Sequence, residues 1–233
     1  MADYGGELLK NFAPIGCRDE GTLKIFEYFN IPAYLSGCCT LTLEPFANIT
    51  RHGKIVLTDV SPEIVEFVKA RTRKNILLAS HTLNQPSIMD WKLRRGLVED
   101  LLKIYQGASL VVTCRLHAAL PCLALGTPVL LVTDKLSNYR FSTFVPYLNH
   151  STPEDLLSGK YSFDFDEPKP NPGGHEKFSA NIKRTCAEFV RACESEGDES
   201  LIDVETWLDG YKRTLRLKRI MQTLIPNAAL YKF

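Results

Sequence analysis

The sequence carries no surplus of charge of either sign. Its 28 Lys and Arg stand against 27 Asp and Glu, a formal +1 over 233 residues, so no global field draws the chain to nucleic acid and any anion must be held locally. Paired Cys-x-x-Cys spacing is missing too. The seven cysteines, Cys17, Cys38, Cys39, Cys114, Cys122, Cys186 and Cys193, are odd in number and sit mostly in apolar runs. They read as reduced residues without disulfides, not as a zinc site, and Cys17, Cys38, Cys39, Cys114 and Cys122 are expected to be buried. No N-terminal segment joins a basic patch to an apolar stretch, and no uncharged run is long enough to span a bilayer, so the expected location is cytoplasmic. There is no internal repeat, no low-complexity tract and no carboxylate cluster that demands a metal. Neither metal nor cofactor is expected.

What is present is a chain with 45% hydrophobic and 24% charged residues, enough for one large domain or a domain plus part of another. Between about residues 54 and 133, short β-branched runs alternate with longer amphipathic ones, the pattern of βαβ units. "KIVLTDV" reads as a strand and "SPEIVEFVKARTRK" as a helix, with Ser61 at its N-cap and Pro62 at the first helical position. "NILLAS" is the next strand. "DWKLRRGLVEDLLKIYQGA" places Leu93, Leu97, Leu101 and Ile104 on a helical stripe that ends near Gly107. "SLVVT" and "PVLLVTD" have no polar alternation, which predicts strands buried on both faces of a parallel sheet with helices on both sides.

The first 45 residues read as a smaller piece of the same kind. "APIGCRD" is a short strand and turn, "EGTLKIFEYFN" a helix, and "IPAYLSGCCTLTL" a strand or pair of strands. Pro45 and "ANITRHG" suggest a linker. Beyond Asp134 the order weakens: "NYRFSTFVPYLN" suggests a short helix and "DFDEPKPNPGG" a loop. Two helices follow, "HEKFSANIKRTCAEFVRAC" and "LIDVETWLDGYKRTLRLKRIMQTLI", joined by a solvated acidic link, "ESEGDES".

The run "SLVVTCRLHAALPCLALGTPVLL" carries the chemistry. Pro121 is tolerated early in a helix but clashes with the carbonyl four residues back, so its helix should begin near His117. That places "CRLH" between the C-terminal end of a buried strand and a helix N-terminus, where parallel sheets bind ligands and free N–H groups favour anions. Arg115 adds a planar fork for phosphate or carboxylate; His117 adds a group that can transfer a proton. On spacing alone, a surface ion pair for Arg115 and a capping or packed role for His117 are equally open. His81, at the end of "NILLAS", falls on the same sheet edge if the two strands are neighbours. Arg140 lies in the loop after the last core strand, within reach of an anion or a surface acid.

"PIGCRDEGTLKIF", "IPAYLSGCCTLTL" and above all "LLKIYQGASLVVTCRLHAALPCLALGTPVLLV" resemble the polysaccharide pyruvyl transferase family. The likeness continues more weakly through "RFSTFVPYL" and "KPNPGG", and so runs from about Phe12 to Cys193. It implies an α/β fold with a Rossmann-like parallel sheet, half or more of a GT-B-like two-lobed architecture. Residues 1–46 would be the remnant of a shortened N-terminal lobe and 47–160 the Rossmann-like C-terminal lobe, with the loop and helices of 161–233 packing back on both. The implied activity is polysaccharide biosynthesis by a transferase that moves the pyruvyl unit of phosphoenolpyruvate onto a sugar as a cyclic ketal. The family's Arg-Leu-His motif falls on Arg115, Leu116 and His117, assigned by the resemblance to donor binding and catalysis. Its Gly-x-Arg-Asp/Glu motif falls on Arg18 and Asp19, where Arg18 would be a second anion contact and Asp19 rather a cap for the helix that follows. The implied partners are phosphoenolpyruvate and a glycan acceptor, without nucleic acid or an integral membrane segment; homo-oligomerisation is open. A nucleotide-sugar glycosyltransferase-like enzyme and a non-catalytic anion- or carbohydrate-binding remnant are the alternatives on the same fold.

Overall fold

Short runs of three or four apolar side chains build the centre of the molecule. A computed structural model describes residues 9–82 and 91–196. The chain divides into two compact units, residues 1–185 and 186–233. The first unit holds a five-stranded parallel sheet of β3 (Ile55–Thr58), β4 (Ile76–Ala79), β5 (Leu110–Thr113), β6 (Val129–Val132) and β7 (Asn149–Ser151), in the order β4-β3-β5-β6-β7. Because successive side chains point to opposite faces, the central strands β3, β5 and β6 each feed two cores. Val56, Val111, Val129 and Leu131 pack with α3 (Trp91–Gly107) and α4 (Leu116–Ala124) on one face. Ile55, Leu57, Leu110, Val112, Leu130 and Val132 pack with α2 (Pro62–Lys69) and α6 (Pro153–Leu157) on the other. β3, β5 and β6 are fully buried, as runs without polar alternation require. The expected class, a parallel sheet covered on both sides, is the one present.

The order of the strands matters for function. From β3 the chain steps outward to β4, then returns across β3 to β5 and continues outward through β6 and β7. The two directions part between β3 and β5, and at such a switch point the loops diverge and leave a crevice beyond the strands' C-terminal ends.

A second, two-stranded parallel sheet pairs β1 (Ile15–Cys17) with β2 (Ala33–Leu35), joined by α1 (Glu20–Tyr28). The stretch "IPAYLSGCCTLTL" holds only this one strand and then a 3₁₀ turn, Cys39–Thr42. The cause is Gly37, whose φ of +83° turns the chain while the Ser36 and Gly37 amides both donate to the Cys17 carbonyl. Cys39, at the start of the turn, is exposed and Cys114 half-buried, which corrects the expected burial of both; Cys17, Cys38 and Cys122 are buried.

Other boundaries move for local reasons. α2 stops at Lys69 instead of running through the basic stretch, because Thr72 and Arg73 turn away to donate to the Asp166 carboxylate at 2.6 and 3.1 Å. On α3 the apolar stripe does not bury along its length: Leu93 and Leu97 are exposed, and Tyr105 is the residue sealed into the core. The stretch after Asp134 forms a short α5 (Tyr139–Ser142) and a 3₁₀ turn, Val145–Tyr147, followed by β7. α7 (Glu176–Glu196) takes in the first three residues of the acidic link, as the helix propensity of Glu allows. Residues 186–196 of α7 are what is described of the second unit; the expected helix "LIDVETWLDGYKRTLRLKRIMQTLI" lies outside the described residues. Among the described residues no helix is long and apolar enough to cross a membrane.

Candidate functional site

β3, β4 and β5 end level with one another. Thr58 is in register with Ala79 on one side and Thr113 on the other, so Asp59, Ser80 and Cys114 emerge together at the switch point. Asp59 has φ +52°, a left-handed conformation that Asp tolerates better than most residues. The turn aims its carboxylate back across the strand ends. It accepts hydrogen bonds from Ser80 Oγ at 2.6 Å and the His81 amide at 3.0 Å and forms an ion pair with Arg115 Nε. Burial pushes the Asp59 carboxyl up, but the bonds from Ser80, His81 and Arg115 outweigh it and hold its pKa below the usual carboxylate value.

This carboxylate orients Arg115. With Nε fixed and one terminal nitrogen 3.4 Å from Thr82 Oγ1, the guanidinium keeps further N–H donors for a ligand, and 45% of the side chain is exposed. Arg115 is also the N-cap residue of α4 without donating or accepting as a side-chain cap. Ala118 and Ala119 donate to its carbonyl, and the Leu116 and His117 amides, at the helix start, have no acceptor among the described residues. The helix begins one residue before the expected position and contains Pro121. Lacking an N–H, Pro121 cannot serve the His117 carbonyl.

His117 is exposed and lines a cleft of about 740 Å³ together with His81, Tyr105, Thr40, Leu97 and Leu101. His81 and Tyr105 share a hydrogen bond of 2.7 Å. Burial, assisted by the nearby Arg115 and His117 and opposed by Asp59, holds the His81 pKa below its ordinary value; burial likewise raises that of Tyr105. At neutral pH both are therefore uncharged. On the other side of His117, its Nε2 lies 3.9 Å from Cys38 Sγ.

The structure thus brings His81, Arg115 and His117 to one sheet edge. Arg18, like Arg115, is not among the residues that line the cleft. It follows β1 and pairs with Asp19 at 3.0 Å, while its buried Nε has no hydrogen bond among the described residues. Asp19, 2% exposed, caps α1 by accepting from the Thr22 amide and hydroxyl, each at 2.9 Å. The loops leaving β1 and β2 nevertheless touch the C-terminal side of the larger sheet at two points: Glu20 N donates to Thr143 Oγ1 at 3.0 Å, and Cys38 meets His117. Leu116 is buried in the core, and Arg140 is exposed on α5. Among the described residues no group of His, Cys, Asp or Glu is arranged to hold a metal ion.

Sequence reasoning missed Asp59, Tyr105 and Cys38. For Asp59 a signal exists: "IVLTD" and "LVVTCR" both run three apolar residues into a Thr and then into polar side chains, which marks level strand ends. Replacing Asp59 with Asn should cost about 1–2 kcal/mol at neutral pH by weakening the bonds to Arg115, Ser80 and His81. Because the folded-state pKa is depressed, that contribution is full above the unfolded value of about 4 and fades as pH falls through the folded one. Urea unfolding of both proteins from neutral to acid pH should therefore show the gap closing only on the acid side. A gap that stays constant would leave the carboxylate charge without a role.

A family model described as polysaccharide pyruvyl transferase matches residues 3–135, more than half of the chain. No curated protein sequence matches it significantly. Among solved structures, one described as a UDP-N-acetylglucosamine 2-epimerase from Listeria monocytogenes aligns with a TM-score of 0.45 and 15% identity. The alignment covers 82% of this chain and 63% of that one, so this chain spans less than two thirds of that structure's length.

Proposed function

The chain belongs to the polysaccharide pyruvyl transferase family, and from that premise we propose that it transfers the pyruvyl unit of phosphoenolpyruvate to a glycan as a cyclic ketal. The observation that carries this reading is Arg115, held by Asp59 at the β3–β5 switch point, two positions before His117 and beside two helix-start amides without an acceptor among the described residues. Phosphoenolpyruvate is a small dianion or trianion. Arg115 and the amides would take its phosphate, as helix N-termini take phosphates generally. Arg18, on the loop after β1, would approach the carboxylate once the donor competes with Asp19, which gives residues 1–46 a role as the facing wall. Arg140 would close on the anion from α5, the short helix after β6.

The reaction needs three events. The enol methylene carbon gains a proton, two sugar hydroxyls in turn form bonds to the central carbon while losing theirs, and the carbon–oxygen bond to phosphate breaks. A group that both gives and takes a proton near neutrality suits this sequence, and His117 is the exposed imidazole in the cleft. His81, uncharged and held by Tyr105, would serve as a hydrogen-bonding wall.

Calorimetric titration tests the donor. Phosphoenolpyruvate should bind, and Arg115→Lys, which keeps the charge but loses the planar fork, should weaken binding by roughly 1.5–3 kcal/mol. Wild-type affinity in Arg115→Lys would remove Arg115 from the site. Stabilisation by a UDP-sugar and none by phosphoenolpyruvate would replace the reading with a glycosyltransferase-like one.

A further inference from the structure

We infer that Cys38 is the positioning residue of His117: its sulfur holds the imidazole at Nε2 and exchanges a proton with it, so that the ring works through Nδ1. The inference rests on the proposed role of His117 as the proton-transferring group. It starts from a contact that joins residues 79 positions apart. Cys38 follows Gly37 in the loop leaving β2, is 5% exposed, and places Sγ 3.1 Å from Thr40 Oγ1 and 3.9 Å from His117 Nε2. The 3₁₀ turn that carries Thr40 packs directly on α4, so thiol, hydroxyl and imidazole meet at the first turn of that helix. Nδ1 of His117 has no hydrogen-bond partner among the described residues.

A thiol–imidazole pair has two forms. In one, S–H donates to neutral Nε2; in the other the proton has moved to nitrogen and a thiolate accepts from Nε2–H. The exchange leaves the net charge of the pair unchanged and needs no other reactant. Burial alone would push the Cys38 thiol up, but hydrogen bonds from His117 and Thr40 overcome it and bring the pKa to about 7. Cys17 and Cys122 supply the internal comparison: buried without an imidazole partner, both thiols are raised. The charged and titratable groups around the pair are Arg115 at the N-cap of α4, already bound to Asp59; His81 and Tyr105 across the cleft, both uncharged; and Arg94 and Asp100 on α3, which line the same cleft, Asp100 in an ion pair with Lys103 at 3.5 Å. None of these carries a negative charge free to stabilise an imidazolium, which leaves the Cys38 thiolate to do so. It would act as the third member of a triad does, orienting the base and balancing its charge.

The test begins without substrate. Thiolate ultraviolet absorbance should rise by one thiol equivalent near pH 7 in the wild-type protein, and this step should be absent in Cys38→Ser. In His117→Gln it should move up by roughly one unit or more, because burial is then less opposed. A wild-type protein with no thiolate step near neutrality, or an unmoved step in His117→Gln, overturns the inference. Should Cys38→Ser fail to fold, His117→Gln alters an exposed side chain and still carries the test. In turnover with phosphoenolpyruvate, Cys38→Ser should lower kcat about tenfold and leave KM for the donor unchanged, since Cys38 touches no donor group; an unchanged kcat overturns the positioning role. The expected titration in a protein that neither binds nor turns over phosphoenolpyruvate supports the pair and overturns the pyruvyl reading instead.

Discussion

His117→Gln should lower the rate of phosphate release from phosphoenolpyruvate in the presence of a galactose- or mannose-containing acceptor by about 10²- to 10⁴-fold, the usual contribution of a positioned acid–base group. Gln keeps a polar side chain of similar reach but cannot exchange a proton. The loss should appear in kcat and leave donor affinity within a few-fold of wild type, because the charge that binds the dianion comes from Arg115 and the helix-start amides. Stability should change by less than about 0.5 kcal/mol, as for exposed substitutions in general, since His117 is exposed and its only side-chain hydrogen-bonding contact among the described residues is the long one to Cys38. Initial rates and urea unfolding on the same preparation separate the two quantities. A variant that turns over within a few-fold of wild type would move proton transfer to another group.

The half of this site that lies on one strand could be read in the sequence. "SLVVT" announces a strand buried on both faces, and Pro121 confines the start of the following helix to within a residue or two of His117, so the junction that holds Arg115 and His117 follows from local sterics. Asp19 as a cap is equally local, because the carboxylate and the Thr22 amide it accepts from are three residues apart.

What was illegible is set by register and by long loops. Nothing in "KIVLTDV" reveals that Thr58 stands level with Ala79 and Thr113, and without that level Asp59 has no visible reason to meet Arg115, 56 residues away. Cys38 meets His117 only because a glycine turns the loop after β2 toward α4. β7 escaped for a different reason. "NHS" offers no β-branched residue and no Phe, Tyr or Trp, and this strand is defined by pairing with β6 at the sheet's edge rather than by any pattern of its own.

Gly37 is where that loop can be broken, and Gly37→Ala should destabilise the fold by about 2–5 kcal/mol. Two costs combine. The left-handed backbone, at φ +83°, costs an L-residue roughly 1–2 kcal/mol. A Cβ at this position would also lie 2.7 Å from Phe178 Cδ1 and 2.8 Å from its Cγ. Phe178 is 5% exposed and packs edge-on against Phe144 and Tyr147, with ring centroids 5.9 and 5.6 Å away, so the ring cannot swing aside without opening that cluster; overpacking of this kind costs about 1–3 kcal/mol. Gly126→Ala isolates the backbone part. Its φ is +68° just past the end of α4, and a Cβ there would meet nothing within 4 Å, so only the cost of the left-handed conformation, about 1–2 kcal/mol, should appear. Urea unfolding midpoints at constant slope give the comparison. Equal losses in the two variants would show that the Phe178 ring yields freely. A larger loss at Gly37 would show that the aromatic cluster fixes the loop, and with it the approach of Cys38 to His117.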